Sequence, residues 1–460
     1  MKQINIASPS VSGWYALYSF LLTIGLPLIL LVSLAKQRSR AGLLERLGVV
    51  SRKSYVVHSA KPVLWIHAVS MGEAMAIVPL VVRIKDVYPN ARVFVSTITD
   101  TGRDVVLNNL QGLAEHLYLP FDYVTVVKRV LNRINPHVFM FVDTELWPNL
   151  LHVLQSRRIP TMLINGRLSS KSFGNYMKIR PFMKHVIKSI TFCAMQSKRD
   201  LDRICALGAD TERVMITGSI KCDQELPVLN PQIKKTLSTF MRMAAGEDVI
   251  VAASTHSGEE TALLEGYKRL LETFPSLVLL LAPRHLDRVS EVEKLIRSHS
   301  FVPVRKTMIS HVAPDHVLAT REGDAEIGTW KRVLLLDTHG ELATMFQFAT
   351  IVWVGGSWVP VGGHNLLEPA QAGKPILFGP YMDHVSEMAE MMIASGGGIQ
   401  ISSLEEMVHV IAKLLQNKEQ CKWMGNAASQ VVKDNQGALD RTLRALHGVL
   451  NNLPCLDIKY

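Results

Sequence analysis

A single acid stands where a predicted strand gives way to a predicted helix. Residues 63–74 read VLWIHAVSMGEA, an apolar run followed by a small-residue turn and then Glu73. A carboxylate on such a turn can take a proton from a hydroxyl group, and Ser70 and Gly72 leave room for a ligand to approach. The helix N-terminus is expected to lower the pKa of Glu73, whereas partial burial is expected to raise it. The alternative is an ordinary helix-opening acid that favours the helix dipole.

The most specific stretch of the second half is VGGSWVPVGGHNLLEPAQAG, residues 354–373. Its two pairs of glycines predict a loop whose backbone comes close to another group. The polar residues that follow are expected on the first turns of a helix, and they are His364, Asn365 and Glu368. Asn365 and Glu368 are three residues apart and share a face, which places Glu368 to bind sugar hydroxyls such as those of a ribose. A tight turn before a capped helix explains the glycines but not this acid.

Two other motifs of the second half also follow predicted strands. STHSGEE, residues 254–260, offers hydroxyls and backbone N–H groups at a helix N-terminus, an arrangement that favours an anion. The simpler explanation is an N-cap by Ser257 with Glu260 completing a capping box. PRHLDR offers cationic side chains that can clamp a phosphate or a carboxylate, against the alternative of a solvated helix start. These side chains are Arg284, His285 and Arg288.

The first half carries three further polar segments at predicted strand ends. DTELWPNLL begins with the acids Asp143 and Glu145, and NGRLSSKS, residues 165–172, is a basic loop. GSIKCD places Lys221 at a predicted domain junction, although a solvated linker lysine is the simpler explanation. None of the three decides a function by itself.

Apolar strands alternating with amphipathic helices must position these residues. Near-continuous runs of Val, Ile and Leu indicate strands buried on both faces, hence parallel sheets. A proline-containing linker at residues 221–235 separates two such series, which predicts two Rossmann-like halves that bind ligands at the carboxyl ends of their strands. A surface loop is predicted at 310–330 and a closing amphipathic helix at 437–453. The strands are predicted at 63–69, 92–99, 139–143, 161–165, 192–196, 214–218, 249–254, 277–282, 333–337, 351–354, 375–378 and 398–401.

The first forty residues predict a membrane anchor. Residues 13–35 carry no charge and are long enough to cross a hydrocarbon core, which needs about 20 helical residues. Aromatic residues at one end resemble an interfacial belt, and basic residues after the other end place the bulk of the protein on the cytoplasmic side. These are Trp14, Tyr15 and Tyr18, and then Lys36, Arg38, Arg40 and Arg46. A cleaved signal peptide and a helix lying in the interface, favoured by Gly25 and Pro27, are the alternatives.

Composition limits the remaining classes of protein. The chain has 460 residues, of which 48% are hydrophobic, and two or three domains are therefore expected. A net charge of +10 indicates anionic partners, but the dispersed basic residues match no nucleic-acid-binding pattern. The five cysteines are scattered without CxxC spacing, so neither a disulfide framework nor a zinc site is indicated.

Taken in order, the motifs resemble the family of 3-deoxy-D-manno-octulosonic acid (Kdo) transferases, inner-membrane enzymes that transfer Kdo from CMP-Kdo to a lipid A precursor. The strongest matches are HAVSMGE, TELWPNL, STHSGEE, PRHLDR and GGHNLLEPA. The resemblance implies an α/β fold of the GT-B glycosyltransferase type, with two Rossmann-like domains facing across a cleft and an N-terminal membrane-anchor helix. The chain departs from the family pattern at Asp143, Gly166 and Cys222, and the last of these puts the shape around Lys221 in doubt.

The resemblance also implies a division of the chain and of its site residues. An anchor is expected over residues 1–40, an acceptor domain over 41–225, a donor domain over 226–435 and a closing helix over 436–460. Glu73 matches the family's catalytic base. Acceptor-side residues are expected to be Ser70, Gly72, Glu145 and Arg167. Donor-binding residues are expected to be Lys221, Ser254, His256, Arg284, His285, Gly340, Glu341, Gly356, Gly363, His364, Asn365 and Glu368.

The implied reaction inverts the anomeric centre by direct displacement and needs no cofactor or metal. Lys221, Arg284 and backbone amides of the glycine-rich loop would neutralise the phosphate of the CMP leaving group. The expected partners are CMP-Kdo, a lipid A precursor and anionic lipid of the inner membrane, with no nucleic acid, and the catalytic domains are expected on the cytoplasmic face. Rival interpretations are another GT-B enzyme of the lipid A pathway, a nucleotide-sugar epimerase, and a membrane-anchored binding protein on a degenerate GT-B frame.

Overall fold

The chain forms two compact units, each built on one parallel sheet. A computed structural model describes residues 13–35, 42–49, 62–223, 240, 248–309 and 332–452, with the side chains of the first helix described over 13–25. Unit 1 comprises Met1–Gln224 together with Asn435–Tyr460, and unit 2 comprises Glu225–Asp434. The predicted pair of parallel α/β domains is thereby confirmed.

The sheet of unit 1 has seven parallel strands in the order β3-β2-β1-β4-β5-β6-β7. Its direction of growth reverses between β1 and β4, so the carboxyl ends of these two strands flank the topological switch point, where ligands bind in such sheets. The strands are β1 (Val63–His67), β2 (Arg92–Thr97), β3 (Glu115–Tyr118), β4 (Val138–Val142), β5 (Thr161–Gly166), β6 (Phe192–Met195) and β7 (Val214–Ile216).

Helices cover both faces of this sheet, which explains why strands such as β1 and β4 are buried along their whole length. The helices are α1 (Gly13–Ala35), α2 (Leu43–Arg46), α3 (Met71–Val87), α4 (Asp100–Asn109), α5 (Val124–Ile134), α6 (Pro148–Ser156), α7 (Ser170–Lys178), α8 (Arg180–Lys188) and α9 (Lys198–Leu207), followed by a 3-10 turn at Ile220–Asp223. The predicted C-terminal amphipathic helix is present as Ala438–Asn451, and its Leu446 and Leu450 are buried in the core of unit 1.

Unit 2 repeats the arrangement with the strand order β10-β11-β9-β8-β12-β13-β14. Its switch point lies between β8 and β12. The strands are β8 (Val249–Thr255), β9 (Val278–Pro283), β10 (Val302–Arg305), β11 (Arg332–Leu335), β12 (Ile351–Val354), β13 (Ile376–Phe378) and β14 (Gly398–Gln400). The helices are α10 (Glu259–Leu270), α11 (Val289–Ser298), α12 (Lys306–Ile309), α13 (Leu342–Phe348), α14 (Leu367–Gln371), α15 (Ser386–Ser395), α16 (Leu404–Gln416) and α17 (Lys418–Asp434).

The sequence prediction missed two strands, β3 and β10, and both are edge strands. Their sequences, EHLY and VPVR, are short and partly exposed, so they lack the continuous apolar run by which the inner strands were recognised. The loop predicted at 310–330, and the linker beyond residue 223, lie outside the described residues.

The first helix packs on the rest of unit 1, which corrects the interpretation of Tyr15 and Tyr18 as part of a lipid-facing belt. Tyr15 is 7% exposed and belongs to the core of unit 1, with its ring stacked 4.3 Å from that of His152. The hydroxyl of Tyr18 donates a 3.0 Å hydrogen bond to Asp122. The opposite face of the helix carries exposed apolar side chains, namely Leu17, Phe20, Leu21 and Ile24.

Within the part of the chain that the structure describes, no helix has both the length and the apolar character needed to cross a membrane. Arg46 was predicted among the basic residues at a membrane surface. It instead lies with its guanidinium 4.9 Å from the centre of the Tyr118 ring and donates to the carbonyl oxygen of Ile98. Lys36, Arg38 and Arg40 lie outside the described residues.

Candidate active site

Glu73 lies in the first turn of α3, immediately after the carboxyl end of β1. One carboxylate oxygen accepts the backbone N–H of Val69 at 2.7 Å, and the other accepts the hydroxyl of Ser70 at 3.0 Å. The side chain is half-buried, so it is held in place by the turn while one side remains open. These bonds orient the carboxylate at the switch point of unit 1.

Burial and a neighbouring charge make Glu73 a stronger base than an ordinary glutamate. Loss of solvation, followed by the negative charge of Asp143, raises the pKa of Glu73 from 4.5 to about 7, although the hydrogen bonds from Val69 and Ser70 act in the opposite direction. Glu145 adds a smaller repulsion of the same sign. Burial, which was predicted from sequence to raise this pKa, is the largest cause of the shift. A base with a pKa near neutrality is suited to proton transfer at neutral pH.

A series of hydrogen bonds fixes Asp143, the first acid of the segment DTELWPNLL. Asp143 follows β4 and has a positive φ of 54°, as does Asn165 near the carboxyl end of β5. The amide of Asn165 donates to Asp143 at 2.8 Å, and its oxygen accepts the backbone N–H of Ile220 at 3.0 Å. Asn165 is 0% exposed, so this series of hydrogen bonds is rigidly packed. It holds a second acid near Glu73.

The other residues predicted on the acceptor side lie around the same edge of the sheet. A side-chain carbon added at Gly72 would meet no atom within 4 Å, so packing within unit 1 does not require glycine there. Burial raises the pKa of Glu145, as does the charge of Asp143. Arg167 is exposed directly after β5, and its carbonyl oxygen accepts the hydroxyl of Thr144. Lys221, which was predicted to bind the donor, also belongs to unit 1 and lies in the 3-10 turn that follows β7.

In unit 2 the switch point brings together imidazoles from separate loops. Nε2 of His256, after β8, lies 2.8 Å from Nε2 of His364, after β12, and the two rings stack with centroids 5.1 Å apart. The ring of His285 meets that of His256 edge-on at 5.7 Å. Burial lowers the pKa of His364 to about 4, and the charge of Arg284 contributes to this shift. His364 is therefore uncharged at neutral pH, and the positive charge beside it is that of Arg284.

Glu368 and Asn365 pair as their spacing predicted. The amide of Asn365 donates to Glu368 at 2.9 Å. Burial raises the pKa of Glu368, opposed by this bond and by the charge of Arg284. One detail of the prediction is wrong: α14 begins at Leu367, so His364 and Asn365 lie in the loop before the helix, where Asn365 accepts the N–H of Leu367 at 3.0 Å.

Glycines at the two turns of this loop are required by the packing of the protein itself. Gly356 and Gly363 have φ values of 65° and 77°, and the N–H of Gly363 donates to the carbonyl oxygen of Gly356 at 2.8 Å. A side-chain carbon at Gly355 would lie 2.5 Å from the carbonyl oxygen of Ser254, which itself has a positive φ of 55°. The loop after β8 and the glycine-rich loop after β12, which carry several of the predicted donor residues, are therefore interlocked.

The remaining donor-side predictions lie after β11. Gly340 has a φ of 80° with open space around it, whereas Glu341 accepts Lys306 Nζ at 2.9 Å and the hydroxyl of Thr338. Among the described residues, no group of three or more His, Cys, Asp or Glu side chains could hold a metal ion.

Two local predictions about STHSGEE and PRHLDR are wrong. The helix after β8 has Gly258, not Ser257, at its N-cap, and no side chain caps it. Glu260 is not part of a capping box, because it pairs with Arg288 at 2.9 Å. Arg288 also bonds Glu291 at 2.9 Å, so its guanidinium is committed within unit 2 rather than to a ligand.

One residue at this site escaped the sequence analysis. Glu259 follows Gly258 as Glu73 follows Gly72, so each unit places a Gly-Glu pair after the first strand at its switch point. This repeated Gly-Glu pair was the sequence signal that could have identified Glu259. Glu259 is 1% exposed and binds backbone N–H groups of the glycine-rich loop.

Comparison with known proteins gives consistent results. Residues 41–224 match a family described as 3-deoxy-D-manno-octulosonic-acid transferase (kdotransferase). A 3-deoxy-D-manno-octulosonic acid transferase of Haemophilus influenzae is 33% identical over 94% of this chain and 98% of its own length, and one of Rickettsia felis is 30% identical over 87% and 82%. A UDP-GlcNAc 2-epimerase of Neisseria meningitidis, solved bound to UDP-GlcNAc, shares the fold with a TM-score of 0.59, 14% identity and coverage of 84% and 99%.

Proposed function

We propose that this chain, which belongs to the Kdo transferase family and is a glycosyltransferase, transfers Kdo from CMP-Kdo to a lipid A precursor with Glu73 as the general base. The observation that carries the proposal is the placement of Glu73, a half-buried carboxylate with a raised pKa at the switch point of unit 1. A sugar hydroxyl is a weak nucleophile until its proton is removed as the new bond forms. Direct attack by the activated hydroxyl inverts the anomeric centre.

The donor side is proposed to lie in unit 2. Arg284 carries a charge that acts on both His364 and Glu368, so it can neutralise an anionic donor between them. Glu368, fixed by Asn365, can accept hydrogen bonds from ribose hydroxyls. Charge on the leaving CMP would then be stabilised by protein groups, and the proposed reaction is metal-independent.

We further propose that the protein acts at the cytoplasmic face of the inner membrane and that α1 contacts the lipid. One face of α1 is packed on unit 1 through Tyr15 and Tyr18, whereas the other presents an exposed apolar surface. A helix with such a division suits the interface between lipid and water. Basic residues that follow it would add attraction to anionic lipid.

The direct test is to incubate the purified protein with CMP-Kdo and a tetra-acylated lipid A precursor and to follow CMP release and product mass. A parallel reaction receives UDP-GlcNAc alone, because the fold is shared with an epimerase. Kdo-modified lipid with stoichiometric CMP is the expected result, and it should persist with EDTA. Epimerised UDP-GlcNAc without Kdo transfer would refute the proposal, and activity lost to EDTA and restored by Mg²⁺ would refute its metal-free form.

A further inference from the structure

Four backbone N–H groups converge on one buried acid in unit 2. Oε2 of Glu259 accepts the N–H of His256 at 3.0 Å and that of Gly356 at 2.7 Å. Oε1 accepts the N–H groups of Ser357 at 3.0 Å and Trp358 at 2.9 Å. A carboxylate has about four lone-pair sites and no hydrogen to give, so these four bonds fill it.

Three consecutive N–H groups that point to one anion form a backbone nest. At the carboxyl end of a parallel sheet, beside a helix N-terminus, such a nest commonly receives a phosphate of a ligand. In this protein residues 356–358 form the nest, and Glu259 of the same chain occupies it. Each backbone N–H is a single donor, so these three amides are already used.

We propose that Glu259 is a positioning residue of the donor site, which locks residues 355–358 to the turn at 254–258 and leaves the donor phosphate to side chains such as Arg284. The proposal rests on the proposed CMP-Kdo donor. It revises the expectation that the amides of the glycine-rich loop neutralise the phosphate, because those of residues 356–358 serve Glu259 instead.

One further hydrogen bond connects the residues held by Glu259 to the imidazole pair of His256 and His364. Gly356, held by Glu259, accepts the N–H of Gly363 at 2.8 Å, and His364 follows directly. A side-chain carbon at Gly356 would lie 2.9 Å from the His364 ring, so the ring packs closely against the backbone of Gly356. Releasing Glu259 would therefore shift His364 against His256.

Glu260 provides a matched control in the same helix turn. It is 0% exposed, as deeply buried as Glu259, but its partner is the guanidinium of Arg288 at 2.9 Å. Loss of its charge removes a buried ion pair without touching residues 355–358. A general loss of stability should thus appear in both variants, whereas a loss of loop position should appear only in the Glu259 variant.

The experiment compares full-length Glu259→Gln and Glu260→Gln with the wild type. Gln keeps the size of the side chain but turns one oxygen into an N–H donor, which opposes two of the four N–H groups. Hydrogen exchange of the peptide spanning residues 355–361 should accelerate about tenfold in Glu259→Gln, because its amides lose their acceptors. The KM for CMP-Kdo should rise about tenfold or more with little change in the KM for the lipid acceptor.

Glu260→Gln should leave both the hydrogen exchange of residues 355–361 and the KM for CMP-Kdo within about twofold of the wild type. This should hold even if its melting temperature falls as far as that of Glu259→Gln. Equal effects of the two variants on donor KM, or unchanged exchange at residues 355–361, would overturn the proposal. If Glu259→Gln does not fold, Glu259→Asp keeps the charge on a shorter side chain, and the same loop must then exchange faster. Hydrogen exchange does not depend on turnover. A wild type that failed to use CMP-Kdo would therefore refute the proposed donor, whereas the exchange rates would still show whether Glu259 holds residues 355–358 in place.

Discussion

Replacing Glu73 with Gln should abolish transfer while leaving CMP-Kdo binding nearly intact. Gln cannot take the proton of the acceptor hydroxyl, and general-base catalysis is typically worth about 10²–10⁴-fold in rate. The wild-type rate should follow the ionised fraction of Glu73. With a pKa of about 7, the rate at pH 6 should be roughly one tenth of its plateau.

The same substitution should stabilise the fold, which an ordinary helix-opening acid would not do. The raised pKa means that the folded state disfavours the ionised carboxylate relative to the unfolded chain. Below about pH 4.5 both states hold the proton and the difference vanishes; it grows as the pH rises and is complete above about pH 7. Each pKa unit corresponds to about 1.4 kcal/mol, and water at the open side reduces the effect, so Gln should add about 1 to 3 kcal/mol at pH 8.

Two measurements check this reasoning on one pair of proteins. CMP release is followed from pH 5 to pH 9, and urea unfolding is measured at pH 5 and pH 8. Asp143→Asn serves as a further variant, because removing its charge should move the acidic limb of the rate profile to lower pH while turnover persists. A folded Glu73→Gln protein that retained substantial turnover, or that was less stable than the wild type at pH 8, would refute the assignment.

Three further predictions follow from individual contacts. Arg284→Ala should raise the KM for CMP-Kdo about tenfold without a similar effect on the lipid acceptor, and an effect confined to the acceptor would show that the units have been assigned in reverse. Gly72→Ala should melt like the wild type, because nothing lies within 4 Å of the added carbon, but should use the acceptor less well; full acceptor use would exclude close approach there. Deleting residues 1–35 should lower the melting temperature, since Tyr15 belongs to the core of unit 1, and an unchanged melting curve would show that the packing contributes nothing.

The inner strands and the residues that follow them could be predicted from sequence, because burial on both faces leaves a continuous apolar run. Glu73, His256 and Glu368 were recognised in this way, since each lies just after a predicted strand or its loop. The edge strands β3 and β10 could not be predicted from sequence, because half-exposed strands tolerate polar residues and proline. The start of α14 was misjudged by two to three residues, since the glycine turn before it continues through Asn365.

Prediction from sequence was also limited by contacts between residues that are far apart in the chain. The nest that Glu259 fills lies 97 to 99 residues further along, so no local pattern could reveal it. The docking of Tyr18 on Asp122 spans 104 residues in the same way. An uncharged segment was therefore interpreted from its hydropathy alone, although one face of it belongs to the core of unit 1.

The C-terminal helix, Ala438–Asn451, has a consequence for biosynthesis. Its Leu450 lies in the same core as Leu80 of α3, and both carboxylate oxygens of Asp223 accept N–H groups at its start, each at 2.6 Å. The segment of unit 1 up to Gln224 is synthesised before unit 2, whereas this helix is synthesised after unit 2. The inserted unit 2 is one continuous segment and can fold earlier. The core of unit 1 can therefore close only after all of unit 2 has been synthesised, and the apolar surface that this helix covers stays open until then.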